Sequence, residues 1–238
     1  MRILSLIHQV DAGPGVFAEA AIARGAQLDT WLISEESEPP ADPRGYDAVM
    51  TFGGAMHADQ DGEHPWLRPQ RELLAGLLDS GTPVLGTCLG AQILTQAAGG
   101  QVRKMSEPEI GWFQIEVLPE GAGDPVIGPM PPVFEGFEWH AYECVLPAGA
   151  VVLARSASCV QAFRIGDSAW GIQFHAEVAA EAADSWLDDW DKDEDALESG
   201  LDPEALRAET HRRIRGWNDL GRALCGRFLD SAAISVVR

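Results

Sequence analysis

The sequence predicts an α/β fold built on a mixed, mostly parallel sheet, with a helical extension at the C-terminus. In the first hundred residues, short apolar runs alternate with amphipathic stretches, which is the order of parallel strands joined by helices. After Gly100 the apolar runs follow one another without helical stretches between them, as antiparallel strands do. From residue 179 the sequence becomes strongly charged and helical in pattern.

The first half of the chain contains seven predicted elements. Strands are assigned to short apolar runs, and helices to longer stretches with apolar residues on one face. In chain order these are a strand at 2–8, a helix at 16–24, strands at 28–33 and 46–52, a helix at 66–78, a strand at 84–87 and a helix at 89–98. The stretch 11–15 is predicted to be a turn, because Pro14 separates its two glycines and no third glycine completes a dinucleotide fingerprint.

The second half is predicted to be richer in antiparallel strands. Apolar runs at 113–118, 151–154 and 159–165 come without helices between them, and a hairpin turn at 165–170 leads into a strand at 170–174. Prolines at 129, 131 and 132 mark a loop and not a domain linker, because patterned sequence resumes at once with Phe134. We therefore expect one domain over residues 1–178, with residues 179–238 as a helical extension packed against it.

The extension has an uneven distribution of charge. Between Glu181 and Glu204 there are eleven acidic residues against the single Lys192, whereas arginine predominates from Arg207 to Arg227. This pattern favours two or more surface helices with a solvated acidic connection. A charged face that docks a partner is the alternative.

Composition limits the possible functions. The chain has 238 residues, is 46% hydrophobic and carries a formal net charge of -20, which repels nucleic-acid phosphates and anionic lipid. The apolar opening is too short for a secretory signal, and no run is long enough to span a membrane. The cysteines are widely spaced and lack metal-type pairing, so we expect reduced thiols, a cytoplasmic location, and neither a metal nor a cofactor. They are Cys88, Cys144, Cys159 and Cys225.

One short motif suggests a nucleophile. The stretch Gly86-Thr87-Cys88-Leu89-Gly90 lies between a predicted strand and a predicted helix, with the spacing of a Gly-x-Ser-x-Gly nucleophile elbow. Such a sharp turn strains the residue at its apex and leaves room only for very small residues two positions away. A sulfur at the N-terminus of a helix is favoured as thiolate. The alternative is a core cysteine flanked by turn glycines.

A proton carrier for this sulfur is predicted at His175. It ends the strand at 170–174, and Glu177 follows two residues later, so both side chains point to one side of an extended backbone. The carboxylate would fix the imidazole tautomer and balance its positive charge during proton transfer. A His-x-Glu pair alone is weak evidence, but the order Cys, His, Glu beside an elbow strengthens it.

Three stretches resemble the motif regions of class I, or triad-type, glutamine amidotransferases: GTCLGAQ at 86–92, TFGG at 51–54 and GIQFHAE at 171–177. Their order and wide spacing match that family as well. The chain is most similar to the amidotransferase domain of GMP synthase and to small stand-alone amidotransferase-like proteins. EIGW at 109–112 and LPAGAVVLARS at 146–156 strengthen the second similarity. The resemblance covers most of residues 1–178 and implies a flavodoxin-like three-layer sandwich.

The resemblance implies roles for the catalytic residues. Cys88 would attack the γ-carboxamide of glutamine, and His175, oriented by Glu177, would protonate the departing ammonia. Water would then cleave the γ-glutamyl thioester. The backbone N–H groups of Gly54 and Leu89 would form the oxyanion hole, which fits a helix N-terminus beside a glycine pair.

Substrate-binding positions are also implied by the resemblance. Gln92, one helical turn beyond the nucleophile, matches a family residue that contacts bound glutamine, and Gly53 precedes the oxyanion-hole glycine. His140 and Tyr142 lie where relatives have a histidine-containing loop near the glutamine site, with simple packing as the alternative. His57 lies in an acidic loop without metal-ligand spacing, and we expect it to be exposed.

Two features separate this chain from many relatives of the family it resembles. Ala176 stands where they have a proline between the histidine and the glutamate, and no synthetase-like sequence follows residue 178. We expect activity to survive without the proline, which supplies no catalytic group, because adjacent strand context can fix the backbone.

The sequence therefore predicts an enzyme that hydrolyses the γ-amide of glutamine to glutamate and ammonia. A possible partner is a separate synthetase subunit. Three alternatives stay open. The chain could hydrolyse γ-glutamyl peptides or conjugates without an ammonia acceptor, or it could be a regulatory subunit that works only when docked to a partner. It could also be a cysteine hydrolase of another family built on a similar elbow.

Overall fold

Nine strands form one sheet in the computed structural model, which describes residues 1–35 and 38–236. In chain order they are β1 Arg2–Ile7, β2 Gln27–Leu32, β3 Ala48–Thr51, β4 Val84–Thr87, β5 Gln101–Val117, β6 Val133–Val145, β7 Val151–Arg155, β8 Val160–Ile165 and β9 Ala169–Ile172. Their spatial order is β2-β1-β3-β4-β9-β8-β7-β5-β6. Strands from β2 to β9 in this order pair in parallel, and the remaining pairs are antiparallel, so the predicted mixed sheet is confirmed.

Helices cover both faces of this sheet. They are α1 Gly15–Ala23, α2 Leu67–Ser80, α3 Leu89–Ala97, the single turn α4 Pro119–Ala122, α5 Ala180–Asp188, α6 Glu194–Glu198 and α7 Pro203–Val236, with 3₁₀ turns at Pro43–Gly45 and Trp190–Lys192. The predicted C-terminal helices are therefore present as α5 to α7. None of the helices in the described ranges combines the length and the apolar character needed to cross a membrane.

The first strand shows how the sequence produces a layered structure. Ile3 and Ile7 belong to the apolar core under α1 and α7, whereas Leu4 and Leu6 belong to the core under α2 and α3. Since successive side chains of a strand point to opposite faces, a run of apolar residues fits only a strand that is covered on both sides. The sheet thus separates two cores.

The longest strand pair was only partly visible in the sequence. The predicted strand at 113–118 is the end of the 17-residue β5, and its partner β6 was not predicted. The register between the two strands shifts between Lys104 and Glu109, where Pro108 interrupts the ladder. A proline is tolerated in a strand at such an irregularity, but it hides the strand from pattern analysis.

Three neighbouring strands bring the motif regions together. β3 pairs with β4 through Thr51 and Gly86, and β4 pairs with β9 through Thr87 and Ile172. All three strands run in the same direction, so the residues that follow each of them meet at one edge of the sheet. This carboxyl edge is where parallel α/β sheets hold ligands.

Candidate active site

Cys88 occupies a strained turn between β4 and α3. Its backbone angles are φ 50° and ψ -111°, and no other non-glycine residue in the described ranges has a positive φ. A Cβ on Gly86 would lie 2.7 Å from the carbonyl oxygen of Gly90, and a Cβ on Gly90 would lie 2.2 Å from that of Thr51. The close packing that the Gly-x-Cys-x-Gly spacing predicts is therefore present, and it places the sulfur at the N-terminus of α3.

His175 and Glu177 form a buried pair close to Cys88. The Nδ1 atom of His175 lies 2.7 Å from Oε1 of Glu177, and both residues are only 2% exposed. Burial opposes a charge on the imidazole, but the Glu177 carboxylate and the Cys88 thiolate outweigh it and raise the His175 pKa well above its ordinary value. The arrangement favours a protonated imidazole close to the Cys88 sulfur.

Helix α7 fixes the backbone around His175. The indole Nε1 of Trp217 donates to the His175 carbonyl at 2.7 Å, and the side-chain amide of Asn218 donates to the Val178 carbonyl at 2.7 Å. A Cβ on Gly221 would lie 1.9 Å from the carbonyl oxygen of Ala176. The sequence led us to expect that a neighbouring strand would replace the missing proline. One bond is made with β6 and another comes from α1, in addition to the two that the extension supplies.

Two glycines after β3, Gly53 and Gly54, lie beside Cys88 and beside the start of α3, respectively. A Cβ on Gly53 would lie 2.9 Å from Cε1 of His175 and 3.7 Å from Cβ of Cys88, so this position has no space for a side chain. Gly54 adjoins the start of α3, since its Cβ would lie 3.3 Å from Cδ2 of Leu89. The N–H groups of Gly54 and Leu89 thus belong to neighbouring residues beside Cys88, and their oxyanion role stays a prediction.

A small cavity of about 50 Å³ lies beside Cys88. Its wall includes Gln92, whose Nε2 is 3.3 Å from the Tyr142 carbonyl, and Tyr142 itself, whose ring stacks on His57 at 4.4 Å. The prediction that His57 is exposed is wrong: its side chain is 29% exposed and its Nε2 lies 3.5 Å from a carboxylate oxygen of Asp195. Stacking and charge hold this histidine in the wall, which its polar sequence neighbours do not indicate.

His140 also borders the small cavity, but its ring nitrogens face the protein. Nδ1 lies 2.9 Å from the Tyr142 carbonyl, while Nε2 lies 3.2 Å from carboxylate oxygens of both Glu109 and Glu138. Burial opposes a charge on the ring, but the two carboxylates raise the His140 pKa to about 10, and burial raises the Glu138 pKa to about 7. The Tyr142 carbonyl and the two carboxylates therefore hold the His140 ring in the wall of the small cavity.

The same cluster contains the one group of possible metal-ligating atoms found in the described residues. Side-chain atoms of Glu109, His140 and Cys159 all lie within 4.8 Å of one another. His140 Nε2 is already shared between two carboxylates, and Glu109 also accepts a bond from Gln161 at 2.8 Å. These contacts engage Nε2 of His140 and one carboxylate oxygen of Glu109.

A larger cavity of about 390 Å³ opens from Cys88 and His175 toward the C-terminal extension. Two indoles, Trp139 and Trp186, line it together with Lys104 and Lys192. Five acidic side chains complete the charged part of the wall: Asp11, Asp189, Asp193, Glu194 and Asp195. No sequence motif predicts that these residues belong to the site. The concentration of acidic residues in the extension is the one pattern that indicates some of them.

A strained cysteine at a strand-to-helix turn, beside a buried His-Glu pair on a mixed α/β sheet, is a glutamine amidotransferase-like arrangement. The model of the family described as glutamine amidotransferase class-I matches residues 15–190, and the chain belongs to this family. The resemblance found in the sequence is therefore confirmed.

Individual proteins agree with this assignment. The chain is 31% identical to a subunit of the glutamine-hydrolyzing GMP synthase of Methanoculleus marisnigri, over 66% of this chain and 79% of that protein. It is 32% identical to a gamma-glutamyl-L-1-hydroxyisopropylamide hydrolase of Pseudomonas sp, over 62% of this chain and 55% of that protein. The crystal structure of a glutamine amidotransferase from Thermotoga maritima superposes with a TM-score of 0.85 at 26% identity, covering 96% of this chain and 97% of that one.

Proposed function

We propose that this chain hydrolyses γ-glutamyl amides, with Cys88 as nucleophile, His175 as acid and base, and Glu177 as the carboxylate that orients the imidazole. The observation that carries the proposal is the convergence of a strained cysteine and a buried, charge-stabilised histidine at one cavity. The raised pKa of His175 favours the protonated imidazole that the departing amine requires.

The reaction follows from these positions. The thiolate of Cys88 attacks the γ-carbonyl carbon, and the N–H groups of Gly54 and Leu89 stabilise the oxyanion that forms. His175 gives its proton to the leaving nitrogen as the carbon–nitrogen bond breaks, which leaves a γ-glutamyl thioester. Water, deprotonated by His175, then attacks the thioester carbon, releases glutamate and restores the thiolate.

Free glutamine, with ammonia as the leaving group, is the first candidate substrate. In that case a separate synthetase subunit would consume the ammonia, and relatives named as GMP synthase subunits support this possibility. A second candidate is a γ-glutamyl amide of a larger amine, supported by the cavity of about 390 Å³ and by the relative named as a γ-glutamyl amide hydrolase.

Labelling with a glutamine-mimicking electrophile tests the nucleophile. All four cysteines are buried, but Cys88 lines both cavities of the site. Burial raises the pKa of Cys144 and of Cys225 to about 12 and raises that of Cys159 as well. Intact-protein mass spectrometry should therefore show one adduct, located on Cys88.

Matched variants complete this test. Cys88→Ala should lose both the adduct and the release of glutamate from γ-glutamyl amides, whereas Cys225→Ala should retain both. An adduct on Cys144, Cys159 or Cys225 in the unmodified protein, or glutamate release by Cys88→Ala, would contradict the proposal.

A further inference from the structure

The wall of the large cavity begins at the catalytic histidine. The ring of Trp186 meets that of His175 edge-on at 4.9 Å, and Trp139 meets Trp186 edge-on at 5.6 Å. Trp186 donates from Nε1 to the backbone carbonyl of Asp11 at 3.2 Å, and Trp139 donates to the Asp193 carboxylate at 2.8 Å. Since His175 is the group that protonates the leaving nitrogen, the leaving amine extends along this aromatic and acidic wall.

The carboxylates of this wall outnumber its cations. Lys192 is paired with Asp189, and the ammonium of Lys104 lies 3.4 Å from a carboxylate oxygen of Asp195. No Lys, Arg or His nitrogen of the described residues lies within 4 Å of the remaining three carboxylates. These are Asp11, Asp193 and Glu194.

Two of the three are held in place by neutral donors. Asp11 accepts from Gln9 Nε2 at 2.8 Å and from Ser185 Oγ at 3.1 Å. Asp193 accepts from the backbone N–H of Ala196 at 3.0 Å, in addition to its bond from tryptophan. Such bonds fix the carboxylates without neutralising them, so the cavity is prepared for a positive charge.

We propose that the substrate is a γ-glutamyl amide whose amine carries a second, positively charged group, such as a diamine. This inference rests on the proposed γ-glutamyl amide hydrolysis and names its substrate class. The distal ammonium lies against Asp11 and Asp193, and the indole rings of Trp139 and Trp186 accommodate the methylene chain and the cation. The segment from Asp193 to Asp195 follows residue 190, where the match to the family model ends.

In the alternative arrangement, these carboxylates bind the α-ammonium of the glutamyl group and not the leaving amine. The two cavities separate the possibilities, because Asp193 lines both of them whereas Asp11 lines the large cavity and not the small one. Asp11 is therefore the position that reports on the leaving amine.

The test compares two amides of equal length in the purified full chain. γ-Glutamylputrescine and γ-glutamylpentylamine differ only in the terminal ammonium, and L-glutamine serves as the third substrate. We expect kcat/KM to be at least about tenfold higher for the putrescine amide at low ionic strength, with the difference decreasing as salt is added. The ratio of the two kcat/KM values should decrease in Asp11→Asn and in Asp193→Asn.

Glu181→Gln is the matched control, because Glu181 lies in the same extension but not in the wall of the large cavity. It should retain the preference of the unmodified protein. Equal turnover of the two amides would overturn this inference and leave the proposed function intact. So would an Asp11→Asn variant, shown to be folded by thermal unfolding, that retains the full ratio. Failure to hydrolyse any of the three substrates would overturn the proposed function itself.

Discussion

Cys88 is held in a backbone conformation that its neighbours enforce. An L-residue at φ 50° is strained, and the strain persists only where the surrounding structure leaves no other path for the chain. Here β4 and α3 leave none, since the nitrogen of Cys88 donates to the Ile172 carbonyl at 2.8 Å while the Cys88 carbonyl accepts from Gln92 at 3.0 Å. The same bonds keep the sulfur at the helix N-terminus, where thiolate is favoured.

The histidine and the glutamate should contribute unequally to turnover. His175→Ala removes the group that moves the proton, so kcat should fall by at least about a hundredfold. Glu177→Gln retains a hydrogen-bond acceptor for the imidazole and should cost less. Steady-state kinetics with a γ-glutamyl amide measures kcat for both variants. His211→Ala, on the surface of α7, is the control. A folded His175→Ala variant with nearly normal kcat would show that another residue transfers the proton.

The buried carboxyl group of Glu138 should make stability depend on pH. Its pKa in the folded state is raised by burial from 4.5 to about 7, so the stability it contributes is present below about pH 4.5 and is lost as the pH rises through 7. In Glu138→Gln the free energy of unfolding should therefore decrease less between pH 5 and 7 than in the unmodified protein. Urea denaturation at each pH measures this.

Glu116→Gln is the control for this experiment, because Glu116 is exposed and lies on the neighbouring strand β5. It should follow the pH dependence of the unmodified protein. If Glu138→Gln also follows it, the Glu138 carboxyl group titrates as it does in the unfolded chain.

The sequence could predict those site residues that lie in short motifs. Cys88, with a glycine two positions away on each side, and His175, two residues before Glu177, are recognisable because their geometry is local. Asp11 and Trp186 could not be found in this way, since they join the cavity only through the packing of the extension against the loop after β1. The hydrogen bond between Ser185 and Asp11 joins residues that are 174 positions apart, so no short stretch of sequence indicates it.

At the scale of elements, the elbow depends on contact between α3 and β3. The Cβ of an alanine at position 90 would lie 2.2 Å from the Thr51 carbonyl oxygen, so Gly90→Ala must push the helix away from the sheet. We expect strong destabilisation, of about 2 kcal/mol or more, and loss of electrophile labelling at Cys88. Differential scanning calorimetry and the mass of the labelled protein measure the two effects.

Gly76→Ala is the matched control for this prediction. Gly76 lies inside α2, and a Cβ there would meet no atom within 4 Å. It should stabilise the protein by about 0.5–1 kcal/mol, because alanine has the higher helix propensity. If Gly90→Ala were as stable as Gly76→Ala and were labelled normally, the packing argument for the elbow would be wrong.

Strands that are covered on both faces were predicted well, whereas the long pair β5 and β6 was largely missed. The parallel strands β1, β3 and β4 are short apolar runs, so their existence followed from sequence. β5 and β6 pair over most of their length with one another, and much of β5 is exposed, so their apolar pattern is diluted. Long-range pairing, and not local preference, determines such strands.

For the molecule as a whole, the C-terminal extension forms part of the candidate site. Helix α7 packs against α1 and bonds to the chain segment that carries His175, while residues 189–195 supply four of the five acidic side chains of the large cavity. The division into a domain of residues 1–178 and an extension of residues 179–238 stays a prediction. In function we expect the two to be inseparable, because the position of His175 depends on both.

The bond from Trp217 to the His175 carbonyl provides the test at this scale. Trp217→Phe retains an aromatic ring but removes the indole N–H, so the His175 carbonyl loses this hydrogen bond. We expect kcat to fall about three- to tenfold with little change in KM, since small displacements of a catalytic group reduce turnover more than binding. Steady-state kinetics with a γ-glutamyl amide, together with thermal unfolding, measures both effects.

Trp112→Phe is the control for the loss of a tryptophan hydrogen bond that does not involve His175. Trp112 donates from Nε1 to Thr210 Oγ1 at 3.1 Å, also toward α7, but it does not touch His175. Both variants should lose stability, by about 1–3 kcal/mol, because each leaves an acceptor without its partner. Only Trp217→Phe should lose kcat. Equal losses of kcat in the two variants would mean that α7 acts on the site through general stability. Unaltered kcat in Trp217→Phe would mean that the remaining contacts of this segment are enough to position the histidine.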